Sequence, residues 1–254
     1  MLAFIHRMTL PLLVLAGWGA AQAAPDPVAV YQFANSLSSS VAGAPALQVV
    51  DPLGRGGFAI DVVNGNPTVV YNFGGDNFPT TSQGGLTLDV SSILAGHADQ
   101  YSVEIVFKFN DNDGRWRRII DVQNRQSDNG FYVDPGNRLN IYPVSSGNAF
   151  STGVYHDVFL VNDQGKATYY LDNGAATVSN TAVMNIDASG RMNFFLDNVV
   201  AGGQGEYASG SVALIRIYDS ALSAPPPPIP EPATWALLIG GLGALTARAR
   251  RRAS

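Results

Sequence analysis

The sequence predicts an all-β protein, a sandwich or barrel of short strands. Three observations carry that prediction. Segments of alternating apolar and polar residues recur along the chain, and clusters of Gly, Asn, Asp and Pro divide them. No stretch of the body sustains the 3.6-residue apolar period of a long helix.

In chain order, VAVYQF (28–33), FAIDVV (58–63), TVVYNF (68–73) and GLTLDV (85–90) read as strands. The loops around them are long and rich in Ser, Gly and Pro, which leaves their boundaries open. VSSILAG (90–96) has the makings of one helical turn. YSVEIVFKF (101–109) puts Tyr101, Val103, Ile105, Phe107 and Phe109 on one face and Ser102, Glu104 and Lys108 on the other, the pattern of a half-buried strand. RRIIDVQ (117–123) follows across the turn Asp111-Asn112-Asp113-Gly114. GFYV and RLNIYPV flank Asp134-Pro135-Gly136-Asn137, a turn with Pro and Gly where turn geometry wants them. VYHDVFLV and KATYYLD flank Asn162-Asp163-Gln164-Gly165, a hairpin signal. SVALIRIYD (211–219) is largely apolar on both faces, which suits a central strand.

Both ends read as appendages. Arg7, an apolar stretch over 10–18 and the small residues Ala21-Gln22-Ala23 form a secretory signal peptide, residues 1–23, cut after Ala23. At the other end the proline run from Pro225 forms a stiff extended spacer, residues 225–229. Residues 230–254 follow as Pro230-Glu231-Pro232, an apolar segment, and Arg248, Arg250, Arg251 and Arg252. The apolar segment 234–247 gives roughly 21 Å of transmembrane helix against a bilayer core of about 30 Å. The arginines hold the tail cytoplasmic and place the body on the outer face.

The body, residues 24–224, is the size of one β-sandwich domain. Setting aside Arg7, Glu231 and the four terminal arginines leaves 10 basic and 19 acidic side chains, a net charge of −9 against −5 for the whole chain. That balance argues against nucleic acid as a partner. The absence of cysteine excludes a thiol nucleophile, an iron–sulfur site and a cysteine zinc site. Only His97 and His156 remain after signal removal, too few for a histidine-rich metal site.

Three phrases, YSVEIVFKFND, VYHDVFLVNDQGKATYYLDNG and GSVALIRIYDSALS, occur in that order and spacing. Together they resemble the laminin-G-like, concanavalin A-like lectin/glucanase superfamily over about residues 101–223. Tyr155-His156 stands where Trp-His is usual in that family, and Leu171-Asp172-Asn173-Gly174 where Val-Asp-Gly is usual. The resemblance implies a two-sheet antiparallel jelly-roll sandwich whose last strand returns beside the first. Tyr169, Tyr170 and Tyr218 within these phrases read as packing residues with satisfied hydroxyls.

The same resemblance brings a glucanase reading, which needs two carboxylates across a sugar bond, roughly 5 to 9 Å apart. Glu104 stands at the matching strand, but positions 106 and 108 are Val and Lys, so no second carboxylate shares that face nearby. Glu206, in GGQGEYASG, is the body's only other glutamate. His156 beside Asp157 is no catalytic pair, because strand neighbours point to opposite faces. No nucleophile elbow, phosphate loop or HExxH motif occurs, so no catalytic residue is assigned. Domains of this type often hold calcium at the sandwich rim. Asp111, Asn112 and Asp113 have the right oxygen ligands, with Asp197-Asn198 as a second candidate, and an ordinary hairpin turn is the alternative. For carbohydrate, Trp116 in DGRWRR is the leading residue, with Phe78 and Phe150 behind it.

The tail resembles the PEP-CTERM sorting signal of Gram-negative bacteria, matched at Pro230, Glu231, Pro232 and the arginines. That resemblance implies export through the inner membrane, a transiently membrane-tethered precursor and removal of the tail by an exosortase. The expectation is therefore an exported, non-enzymatic surface or matrix protein that binds glycan, exopolysaccharide included. The alternatives are a glycoside-active enzyme with an unrecognised carboxylate pair and a purely structural matrix protein.

Overall fold

The computed structural model describes residues 25–111, 114–200 and 205–226. The expected signal peptide with its cut after Ala23, the tail from Pro230 to the terminal arginines, and Asn112 and Asp113 lie outside the described residues. Among the described residues no helix is long and apolar enough to cross a membrane.

Fifteen strands are found among the described residues: β1 (Ala29–Tyr31), β2 (Gln48–Val50), β3 (Gly57–Val63), β4 (Asn66–Phe73), β5 (Gly85–Asp89), β6 (Gln100–Phe109), β7 (Arg117–Asp121), β8 (Gly130–Val133), β9 (Arg138–Tyr142), β10 (Ser145–Ala149), β11 (His156–Asp163), β12 (Lys166–Leu171), β13 (Thr177–Asn180), β14 (Arg191–Phe194) and β15 (Gly210–Tyr218). They form two antiparallel sheets. One runs β13-β12-β11-β6-β15-β4-β3 with β1 paired to β15; the other runs β10-β9-β8-β7-β14-β5-β2. The last strand does return beside the first, with Ala29 opposite Ile217. VSSILAG makes its single turn, the Leu94 N–H donating to the Val90 carbonyl at 2.8 Å.

The core lies between the sheets. Tyr101, Val103, Ile105, Phe107 and Phe109 of β6 are fully buried and meet Leu86, Leu88, Phe131, Val133 and Phe194 of the other sheet. Removing each such side chain from water stabilises the fold by roughly 1.5–3 kcal/mol. Phe73 stacks on Phe195 at 4.0 Å between ring centroids, and Phe107 stacks on Phe150 at 5.5 Å.

Three expectations change. The polar face of β6 is buried, not half open: Ser102 and Glu104 lie between β11 and β15, and Arg216 of β15 meets Glu104 at 2.8 Å. Phe150 is a core residue rather than an exposed ligand candidate. Asp157 does share the face of Glu104, because it stands opposite Val106 on the neighbouring β11. His156 is held by side chain as well as backbone, its Nδ1 lying 2.7 Å from Asp172 and its Nε2 3.0 Å from the Ser151 carbonyl. Tyr169 packs in the core with its hydroxyl donating to the Leu139 carbonyl, as expected of that residue.

Candidate functional site

The site grows from two arginines that the sequence hides in a strand. Arg117 and Arg118 open β7, and both are fully buried. A bulge between Arg118 and Ile120, opposite β8, lets the strand carry Arg118 away from the core while Ile119 and Ile120 both remain in it. Arg118 lies over the Tyr132 ring at 4.5 Å and donates to Asp121 at 2.8 Å, to the Asn129 carbonyl at 3.2 Å, and to the Ser127 and Asp128 carbonyls at 3.1 Å. It also bonds the Tyr132 hydroxyl. One guanidinium thus shapes the whole β7–β8 loop.

Two further loops lock onto this hub. Asp197 lies 3.6 Å from the Arg118 Nε and accepts from the Gly205 and Glu206 backbone N–H groups at 2.9 and 3.0 Å. Gln83 Oε1 accepts the Asp197 N–H at 3.0 Å, and Arg125 donates to the Asp197 carbonyl at 2.6 Å and to the Thr80 carbonyl at 3.2 Å. Asn198 donates to Asp128 at 3.0 Å. Charge-assisted bonds of this kind are stronger than neutral ones, so the segments 80–83, 123–129, 197–198 and 205–206 are fixed relative to one another.

On this base sits a rim cleft of about 500 Å³, lined chiefly by Phe78, Trp116, Tyr142, Asp128, Arg115 and Glu206. That is within the size range of small-molecule sites. Trp116, half-buried, meets Tyr142 edge to face at 5.2 Å and Tyr132 at 5.5 Å. Phe78 is exposed across the cleft mouth. The Glu206 carboxyl is pushed up to about 8, first by burial and then by the charges of Asp197 and Asp128. Its Oε2 is closed off from water and has no hydrogen-bond partner among the described residues. Asp128 is raised as well, mainly by burial. The cleft therefore offers aromatic surface beside a carboxyl group that is largely protonated at neutral pH.

Of the residues expected from sequence, Trp116 and Phe78 line this cleft. Asp111 is exposed, and its carbonyl accepts from Arg117 at 3.1 Å. Asp197 and Asn198 are fully buried and bound to neighbouring groups rather than open at a rim. Among the described residues no group of three or more His, Cys, Asp or Glu is set to hold a metal ion. Sequence reasoning missed Tyr142 and Asp128 and gave Glu206 no role, since only folding gathers them.

The family model of the concanavalin A-like lectin/glucanases superfamily matches residues 80–225, more than half of the chain. The chain belongs to the concanavalin A-like lectin/glucanases superfamily. The match spans β5 to β15 and so includes nearly every residue of the cleft. No curated protein matches the sequence. Among solved structures, this concanavalin A-like chain resembles domain 4 of AbnA, a GH43 extracellular arabinanase from Geobacillus stearothermophilus solved with arabinotriose. The TM-score is 0.56 at 18% identity, covering 78% of this chain and 94% of that one. It also resembles the binding domain of botulinum neurotoxin DC, solved with rat synaptotagmin II, with a TM-score of 0.53 at 11% identity. There the likeness covers 78% of this chain and about half, 49%, of the neurotoxin chain. At these identities the likeness is one of fold.

Proposed function

We propose that this is an exported, non-enzymatic protein of the cell surface or extracellular matrix that holds glycan in the cleft beside Trp116. The observation that carries the reading is the pairing of aromatic rings, Trp116 and Tyr142, with the carboxyl groups of Asp128 and Glu206 in one cleft. A sugar ring presents an apolar C–H face and a rim of hydroxyls, and these walls match both. The fold shared with AbnA domain 4, which was solved with arabinotriose, makes arabino-oligosaccharides the first ligands to try.

Isothermal titration with a panel of neutral and acidic oligosaccharides tests the cleft. Binding is expected for at least one member, with a loss of tenfold or more, about 1.4 kcal/mol, in Trp116→Ala. An inert panel, or affinity that W116A leaves unchanged, overturns the assignment to this cleft.

One observation favours a second reading, a glycoside-active enzyme. Glu206 and Asp128 flank the same cleft, and a carboxyl kept protonated at neutral pH is what a general acid requires. New reducing ends that vanish in Glu206→Gln would establish it; binding without product favours the non-enzymatic protein. Neither binding nor product would leave a structural matrix role.

Export and exosortase processing rest on Ala23, Pro230-Glu231-Pro232 and the terminal arginines. Mass spectrometry of the secreted protein should find residues 1–23 and the arginine cluster gone, and a retained arginine-rich terminus contradicts the sorting reading. Calcium at Asp111, Asn112 and Asp113 belongs to the same proposal. An ion bound only by the folded state must raise the melting temperature at millimolar calcium, and no shift removes it.

A further inference from the structure

A sandwich of two open sheets has edges, and an open edge invites pairing with another chain. Three of the four outermost strands are blunted here. β2 has three residues and β13 four, while β10 is broken by a bulge between Ser146 and Ala149. β3 is different. It has seven residues in unbroken register with β4, from Gly57 opposite Asn72 to Val63 opposite Asn66.

Its sequence, GFAIDVV, carries no Lys, Arg or Pro, the residues that usually guard an edge. Its one charge, Asp61, is turned to the outer side and held by Lys108 at 2.6 Å and Tyr155 at 2.9 Å. The alternate residues Phe58, Ile60 and Val62 are 38%, 77% and 61% exposed. They face the interior side of the sheet, since Phe58 stands opposite the core residue Tyr71. In the other sheet Val49 of β2, opposite the core residue Leu86, is also exposed. Both inner faces therefore run out at this edge into uncovered apolar side chains.

The backbone points the same way. The Val62 N–H donates to Asp61 Oδ1 at 2.8 Å and so faces away from β4. By the two-residue period of a strand, the N–H and C=O groups of Phe58 and Ile60 face that open edge too.

We infer that β3 pairs with β3 of a second copy of this chain, antiparallel across a two-fold axis at Ile60, so that two eight-stranded sheets become one. The strand is complementary to itself in that arrangement. Ile60 meets Ile60, Phe58 meets Val62, and each Asp61 meets Ala59 while keeping its own Lys108. No partner of opposite charge is required, and a two-fold contact closes at two copies.

Sedimentation equilibrium of the purified whole chain should give the mass of two chains, and Ile60→Lys should halve it. The circular dichroism spectrum should stay unchanged, because Ile60 stands in solvent in the single copy. The chain has no cysteine, which allows a second test. Hydrogen-bonded strand partners lie about 5.5 Å apart at Cα, within the span a disulfide bridges. Oxidised Ile60→Cys should run as a covalent dimer, and Val178→Cys, exposed on the opposite edge strand, should not. A single-chain mass at the highest soluble concentration overturns the inference, whether the edge is then covered by another protein's strand or by this chain's own terminal residues. So does a dimer that I60K leaves intact, assembly beyond two copies, or a cross-link no faster at position 60 than at 178.

Discussion

Arg118 lies wholly inside the protein with two carboxylates, Asp121 and Asp197, as its counter-charges. Removing one partner of such a cluster leaves the others buried and unpaired. Arg118→Met should therefore cost about 3–5 kcal/mol of stability by urea denaturation. It should also weaken ligand binding, because the β7–β8 loop loses its donor. Glu206 gives the opposite sign of dependence on charge. Its folded-state pKa, about 8, lies above its ordinary value of 4.5, so its contribution to stability is complete in acid and is lost as pH rises through 8. Glu104, raised to about 7, and Asp157, raised to about 6, act in the same direction, each chiefly through burial. Melting temperatures should fall from pH 5 to pH 9, and Glu206→Gln should flatten the alkaline part of that fall. A wild-type slope that E206Q leaves untouched would show that Glu206 is not the titrating group. None of this was legible residue by residue. RWRRII reads as a charged strand, and nothing local announces that Asp197, far along the chain, will face Arg118.

Strands that carry their own alternation were legible, and strands that borrow their stability were not. β6, β8, β12 and β15 are found within a residue or two of where the apolar period puts them. β15 is indeed central, lying between β6 and β4. The missed strands β2, β10, β13 and β14 are short, and β10 reads SSGNA, with no apolar period at all. Its place comes from backbone pairing to β9, which sequence periodicity does not report. Burial of both faces of β6 escaped for a related reason. Ser102 and Glu104 look like solvent residues until β11 and β15 close over them. The apolar face remains the stronger term. Phe107→Ala, which removes a fully buried ring packed on Phe109, Phe150 and Phe195, should cost about 3–5 kcal/mol in the same denaturation experiment. A loss below 1 kcal/mol would mean that the core collapses to fill the space.

At the scale of the whole molecule, the domain is larger than its family match. The match begins at residue 80, yet β1, β3 and β4 complete the eight-stranded sheet, and Tyr31 of β1 is fully buried with its hydroxyl donating to the Pro45 carbonyl at 2.7 Å. A fragment of residues 80–225 should therefore show no cooperative melting, whereas residues 25–226 should melt in one transition. A folded 80–225 fragment would show that β1–β4 are dispensable. The pairing of β1 with β15 has one more consequence. Chain entry at Ala29 lies against Ile217, and the chain leaves β15 at Tyr218, so both ends of the domain depart from one pole. The loop that carries Glu206 enters the other end of β15, nine residues and about 30 Å away. The cleft and the two described chain ends therefore sit at opposite ends of β15, so a contact made through the ends leaves the cleft uncovered.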